Sequence, residues 1–415
     1  MNGLKIGMFG FGCVGQGLYD ILHQNEGFRA EVVKICVKDP HKARPLPADR
    51  FTLNPGEILD NPEINLVVEL INDADEAYRI VTTALQRCKT VVTANKKMLA
   101  EHLEELVALQ AVYGTPLLYE ASVCGSIPII RNLEEYYDNE LLHSVSGIIN
   151  GSSNYILSKV FNEGQPYAAA LQQAQALGFA ETDPTLDVGG FDARNKLCIL
   201  TAHAYGLFVK PEEVFNFGIQ SLSAHDFQFA REKGFKLKLI AQVQKVDAER
   251  VTAFVLPQLV AASDYLHNVE NEYNGVTVQA AFADRQFFMG KGAGGHPTGS
   301  AVLSDLSASR YGYKYEYKKL AQHKALRYTT GVTMEVYLRY HDEADLELLQ
   351  LVDISERYSG RNFRYVIGKV SLARLLAVGA ELATRNVFIA RTGRKVELAR
   401  EAVLEQEEAL AKSAF

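Results

Sequence analysis

The first third of the chain alternates short, nearly continuous apolar runs with amphipathic stretches of helical period. Leu4–Phe9, Ala30–Val37, Glu63–Ile71, Thr90–Thr93 and Pro116–Glu120 read as strands, and Leu18–His23 and Ala74–Arg87 as helices between them. Strands that are apolar on both faces belong to parallel sheets covered by helices. The middle of the chain differs. Leu142–Ile149 alternates and runs into a polar turn at Asn150 that opens a helix, and Tyr167–Leu177 is an alanine- and glutamine-rich helix. Phe235–Gln244, Arg250–Leu256 and Asn274–Asp284 predict antiparallel strands of a second, more open sheet, followed by a helix over Ser300–Ser309.

From Val332 the composition shifts again. Strands at Thr333–Tyr340, Asn362–Val370 and Asn386–Ala390 alternate with helices at Leu346–Tyr358 and Leu372–Thr384, a small βαβαβ module. The charged tail from Gly393 reads as a solvated helix.

Length supports this division, because 415 residues exceed what one core organises. Apolar content of 47% and charged content of 22% are ordinary for a globular protein. A net charge of −7 argues against a general nucleic-acid binder. The five cysteines, Cys13, Cys36, Cys88, Cys124 and Cys198, form no C-x-x-C pair and suggest a reducing compartment. The chain opens straight into a strand, and no apolar run approaches membrane-spanning length. These features predict a cytoplasmic enzyme without a membrane partner.

The chemistry starts at Gly10-Phe-Gly12-Cys13-Val14-Gly15, between a strand and a helix. This is the G-x-G-x-x-G context in which backbone approaches a pyrophosphate at a helix N-terminus. A second strand arrives at the βαβ distance, and the loop after it carries Lys38, Asp39, His41, Lys42 and Arg44. Asp39 suits the ribose hydroxyls of NAD, and the basic residues suit the extra phosphate of NADP; the balance leans to NADP. Lys96 follows the tip of the strand that ends at Thr93, where open α/β sheets place their ligands. Lys96 and Lys97 also fit a solvated pair at a helix start. Glu120, followed by Val123, Gly125 and Ile127, can offer a carboxylate and carbonyl oxygens to a hard cation, or can be a plain strand-to-helix turn. The loop containing Gly292 and Gly294 precedes a helix and can cradle cofactor or substrate, or simply return the chain.

Residues 178–196 hold Glu181, Asp183, Asp187 and Asp192, then Arg194 and Lys196. Asp192 stands where a carboxylate caps a helix, and Lys196 lies one turn along the same face. The pair fits a proton donor held by acids. It equally fits a capped helix with a solvated ion pair.

Over about residues 4–310 the chain resembles homoserine dehydrogenase. The resemblance rests on Gly10–Gly15, Thr93-Ala-Asn-Lys96, Glu120-Ala-Ser-Val123, Gly147 to Leu157, Glu181-Thr-Asp-Pro-Thr-Leu-Asp-Val188 through Asp192 to Lys196, and Gly292-Ala-Gly294 with Pro297-Thr298, in that order. It implies reduction of aspartate 4-semialdehyde to L-homoserine with NADPH or NADH, on the path to threonine, methionine and isoleucine. It implies Lys196 as general acid, Lys96 as second active-site lysine and Asp192 as the residue that positions Lys196. Glu181, Asp187, Asp192, Ser153 and Tyr155 would contact substrate. Gly10, Gly12, Cys13, Val14, Gly15, Lys38, Thr93, Lys96, Gly292 and Gly294 would contact cofactor. Glu120, Val123, Gly125 and Ile127 match the family's sodium site.

The implied fold is α/β: a Rossmann domain at 1–131 rejoined by 300–330, a catalytic and dimerisation domain at 132–300, and a small ACT-like module with a helical tail at 331–415. A homodimer is implied through the second sheet. Departures from the family pattern are Phe179 for a tyrosine, Ser152-Ser153 for two threonines, Asn72-Asp73 for two glycines and Leu256-Pro257 for His-Pro. The C-terminal module lacks the family's effector loop and reads one strand short, which predicts a weak or absent threonine response. The alternatives are a non-catalytic dinucleotide-binding homologue and a dehydrogenase of another small oxo-acid.

Overall fold

The computed structural model describes residues 3–25, 27–139, 141–322 and 326–399. The chain divides into two compact units, Met1–Asp138 with Gly290–Lys318, and Asn139–Met289 with Lys319–Phe415.

The first unit holds six strands: β1 (Leu4–Phe9), β2 (Ala30–Cys36), β3 (Phe51–Thr52), β4 (Leu66–Glu69), β5 (Thr90–Thr93) and β6 (Leu117–Leu118). They pair in parallel in the order β3-β2-β1-β4-β5-β6. Direction of travel reverses between β1 and β4, the switch point where such sheets bind nucleotides. The β-branched residues Val67, Val68, Val91 and Val92 are fully buried, which is why these strands read as unbroken apolar runs. β4 and β6 are shorter than the apolar runs 63–71 and 116–120; Glu69 is the last residue of β4, and Glu120 follows β6 in a short 3-10 turn. The helix Gly295–Ser309 returns to pack on Cys13–Gln24. The backbones nearly touch: a Cβ on Gly299 would lie 2.8 Å from the Leu18 nitrogen. This helix starts earlier than Ser300, with Pro297 in its first turn, where a missing N–H is harmless.

The second unit is built on one long sheet. Its strands are β7 (Leu142–Ile148), β8 (Phe215–Asn216), β9 (Phe235–Lys245), β10 (Arg250–Ala261), β11 (Tyr273–Ala280), β12 (Asp284–Lys291), β13 (Arg327–Tyr328), β14 (Val332–Tyr340), β15 (Val352–Ser359), β16 (Arg364–Ser371), β17 (Phe388–Arg391) and β18 (Glu397–Leu398). The main order is β12-β11-β7-β9-β10-β17-β14-β16-β15. The run 274–284 therefore covers parts of two strands, with β12 beyond the turn.

The C-terminal module is βαββαβ, not βαβαβ. The helix foreseen over 346–358 ends at Leu349, where Gln350 takes φ +52°, and 352–359 is the extra strand β15. The module's own order, β17-β14-β16-β15, is that of a split βαββαβ sheet. β17 also pairs with β10, its other neighbour in the sheet, through Gln258 and Arg391. Phe254 and Leu256 share one core with Val336, Leu338, Leu375 and Ile389. The expected tail helix from Gly393 is not found in the described part: Val396 is buried and β18 pairs with β14. The rest of the tail, from residue 400, lies outside the described residues.

Candidate active site

Three glycines shape the loop after β1, each for a different reason. Gly10 takes φ +92°, and a Cβ there would lie 2.7 Å from the Leu70 carbonyl oxygen. Gly12 faces open space, with nothing within 4 Å of a Cβ position. A Cβ on Gly15 would meet the Gly10 carbonyl oxygen at 2.7 Å. These are the needs of a tight turn, of close approach by a ligand, and of helix-to-strand packing. Cys13 and Val14 form the first helical turn; Cys13 is exposed and Val14 half-buried.

Past β2, Lys38 and Asp39 are exposed. One Asp39 oxygen accepts the His41 N–H at 2.8 Å, and the Arg44 guanidinium donates to the carbonyls of Asp39 and Lys42 at 2.7 and 2.9 Å. Lys42, Arg44 and Phe51 line a recess of about 430 Å³. The departure at Asn72-Asp73 has a local reason: Asp73 caps the helix Ala74–Gln86 through the Glu76 N–H. That hydrogen bond, aided by the Lys38 charge, holds the Asp73 carboxyl below its ordinary range.

At the tips of β4 and β5 the side chains lock one another. Glu69 is fully buried, accepting the Ile71 N–H at 2.7 Å and the Thr93 hydroxyl at 2.5 Å. Burial pushes its carboxyl up to about 7. The Thr93 hydroxyl in turn accepts the Asn95 N–H, and Asn95 caps the helix Lys96–Tyr113 through Met98. Thr93 thus has its hydroxyl engaged inside the protein. Lys96 is half-buried at the first helical position.

The Glu120 oxygens accept the Ile130 and Arg131 N–H groups, both at 2.9 Å. Its own N–H donates to Asp305 at 2.9 Å, and Arg131 bridges to Asp305 at 2.6 Å. Burial raises Glu120 to about 8 and Asp305 to about 6. The turn that follows carries two left-handed residues, Cys124 (φ +57°) and Gly125 (φ +52°), between buried Val123 and Ile127. A Cβ on Gly125 would collide with the Gly292 backbone at 2.7 Å, which brings the second glycine loop against this turn. Gly294 ends that loop at φ +116° and opens the next helix. Among the described residues no cluster of three or more His, Cys, Asp or Glu side chains is placed to hold a metal.

In the second unit the acid-rich stretch folds back on the turn after β7. Lys196 is buried, and its Nζ donates to Asp192 Oδ2 and to the Ile149 carbonyl, both at 2.8 Å. The helix runs Phe191–Tyr205 from a left-handed Gly190, so Asp192 lies inside it rather than capping it. Asn150 is the residue that sequence reading missed. Its Nδ2 donates to Asp187 Oδ1 at 2.7 Å and Asp192 Oδ2 at 2.9 Å, and its Oδ1 accepts the Ser153 N–H. An asparagine before a helical pattern signals a cap. Nothing local shows that its amide also bridges two acids far along the chain. The Ser153 hydroxyl turns back to the Asn150 carbonyl at 3.2 Å. The Ser152 hydroxyl holds the Phe179 carbonyl. Tyr155 is buried with its ring against Phe179, centroids 4.9 Å apart. Glu181 is exposed, on a turn whose carbonyls accept from Gln175, and none of the hydrogen bonds just described reaches its carboxylate.

The family profile for the homoserine dehydrogenase NAD-binding domain matches residues 10–120, and that for homoserine dehydrogenase matches 128–307. The homoserine dehydrogenase of Bacillus subtilis is 37% identical over 317 residues, 74% of this chain and 73% of that protein. The Synechocystis homoserine dehydrogenase is 38% identical over 313 residues, 73% of this chain and 72% of the relative. A crystal structure of a homoserine dehydrogenase from Thiobacillus denitrificans superposes with a TM-score of 0.81 at 29% identity, covering 94% of this chain and 98% of that one.

Proposed function

The chain belongs to the homoserine dehydrogenase family, and on that premise we propose the division of labour among its residues. It is an NAD(P)-dependent oxidoreductase that reduces aspartate 4-semialdehyde to homoserine in amino-acid biosynthesis. Nothing favours a non-catalytic role.

One observation carries the assignment of the acid: Lys196 Nζ is pinned between Asp192 Oδ2 and the Ile149 carbonyl. When bound, the nicotinamide cofactor supplies the hydride. As the aldehyde oxygen gains negative charge, Lys196 gives it a proton, and Asp192 keeps the amine aimed. Asp187, with Glu181 swinging in from its exposed turn, takes the substrate ammonium. Ser153 and Tyr155 shape the wall beside them. Lys96 would be the second active-site lysine, at the nicotinamide end of the cofactor. Gly10, Gly12, Cys13, Val14 and Gly15 take the pyrophosphate, with Thr93 and the Gly292–Gly294 loop completing the cofactor site.

The preferred cofactor is NADP, with Lys38 and Arg44 at the extra phosphate. Supporting this, one oxygen of Asp39 is already engaged by His41. A monovalent cation such as Na+ would be held at this turn by Glu120 and the carbonyls of Val123, Gly125 and Ile127. Two buried carboxylates there face one guanidinium, so ionising both leaves a deficit of one positive charge. The protein works as a cytoplasmic homodimer, paired along the β12 edge, where Met289 and Tyr265 are exposed. Residues 1–138 and 290–318, rather than 1–131 and 300–330, would make up the Rossmann domain, 139–289 the catalytic domain, and the strands and helices from Val332 to Leu398 an ACT-like module with little threonine response. Among the described residues no helix is long and apolar enough to cross a membrane.

NADPH oxidation by aspartate semialdehyde tests the acid. Lys196→Ala should lose about 10²–10⁴-fold in kcat. Equal activity of variant and parent would overturn the assignment.

A further inference from the structure

A second buried lysine lies beside the active-site turn and has no part in the chemistry above. Lys238, on β9, is 1% exposed. Its Nζ donates to the Val269 carbonyl at 2.5 Å and Asn154 Oδ1 at 3.2 Å, and pairs with Glu270 at 3.4 Å. Asn154 uses its Nδ2 on the carbonyls of Val269, Asn271 and Tyr273, at 3.2, 2.9 and 3.2 Å. Ser158, one turn on, donates to the Asn154 carbonyl and accepts the Asn271 N–H. A Cβ on Gly151 would lie 2.6 Å from the Glu272 carbonyl oxygen. Segment 269–273 is therefore wrapped around the opening turns of the helix Gly151–Glu163. Val269 also shares an apolar core with Ile148, the residue before Ile149.

That helix begins at Asn150, which holds Asp187 and Asp192, and Ile149 holds Lys196. We propose that Lys238, paired with Glu270, is a positioning residue for the reaction: it clamps segment 269–273 against the helix and thereby fixes Asn150 and the Ile149 carbonyl around Lys196. This rests on Lys196 being the proton donor.

The ionisable groups facing Lys238 are Glu270 from the segment and Lys236 from its own strand; Lys236 also pairs with Glu270. The helix adds neutral Asn154, and Asn162 donates to Glu270 at 3.0 Å. Burial is the chief reason that Lys238 is lowered to about 8, with Glu270 opposing it. The clamp is charged below that pH and neutral above it. Stability runs the other way. An unfolded lysine keeps its proton to about 10.4, so between the two values the unfolded chain holds the extra proton and rising pH favours the fold. Loss of activity in that window without loss of stability is the signature of positioning.

The test is kcat and thermal unfolding of the full-length protein from about pH 6 to about pH 10, for wild type, Lys238→Met and Glu270→Gln. Wild type should lose kcat through about pH 8 with no matching drop in melting temperature. Lys238→Met should be roughly tenfold to a hundredfold slower, should lack that step, and should keep its NADPH KM. Glu270→Gln should move the step about one unit lower. If Lys238→Met fails to fold, the Glu270→Gln profile decides. An unchanged step in Glu270→Gln, or its persistence in a folded Lys238→Met, overturns the proposal. Lys196→Ala, assayed alongside, separates this outcome from failure of the donor assignment, which would show as retained activity in that variant.

Discussion

Glu120 with Asp305 in one unit, and Asp187 with Asp192 in the other, are both carboxylate pairs largely withdrawn from water. Their surroundings differ. Asp192 has Lys196 within 2.8 Å, and the Asn150 amide spans both acids of its pair. Glu120 has two backbone N–H groups, and the single guanidinium of Arg131 goes to Asp305. Withdrawing a charge from water is costly unless a partner of opposite sign is fixed beside it. The second unit supplies that partner from its own chain, so Asp192 and Lys196 hold one another in place. In the first, burial leaves Glu120 raised to about 8.

The largest effect short of removing Lys196 should come from Asn150→Leu. It deletes the amide that spans Asp187 and Asp192 and leaves both acids to repel one another. We expect kcat for aspartate semialdehyde to fall about tenfold to a hundredfold, with about 1 kcal/mol lost from the helix cap. Steady-state kinetics and urea unfolding read the two effects separately, and unaltered kcat would break the contrast between the clusters.

Next is Glu120→Gln. Glu120 is neutral in folded and unfolded chains at low pH. As pH rises above the ordinary carboxylate value of about 4.3, the unfolded chain ionises first, so stability falls until the folded group ionises near pH 8. Added Na+ should recover stability, most strongly at alkaline pH. The glutamine variant should lose both the slope and the Na+ effect, measured by melting temperature in sodium against a bulky organic cation.

The smallest effect belongs to an exposed charge. Lys38→Ala should raise the NADPH KM about threefold to tenfold and leave the NADH KM unchanged. Equal changes for both cofactors would remove Lys38 from the extra-phosphate site.

The sequence discloses what is buried or closely spaced. Val67, Val68, Val91 and Val92 announce the parallel sheet because water reaches neither face of it, and Gly10, Gly12 and Gly15 announce a turn whose geometry is local. Lys196 and Asp192 are one helical turn apart and are equally legible. Strands β12 and β15 were missed because both are edge strands, partly or mostly exposed, and carry too little apolar alternation to register. Asn150 was missed for another reason. Its acids lie 37 and 42 residues away, and only the folded chain brings an amide and two carboxylates together. Glu69 and Asp305 were likewise invisible, since what distinguishes them is isolation from solvent.

The junction of β10 with β17 has an evolutionary consequence. A regulatory appendage joined by a linker can be lost, swapped or duplicated without harm to the enzyme that bears it. Here Phe254 and Leu256 share their core with Val336, Leu338 and Ile389 of the module, so the two halves are packed as one body. The segment would then persist through descent even where no effector is ever sensed, kept as a wall rather than as an ear.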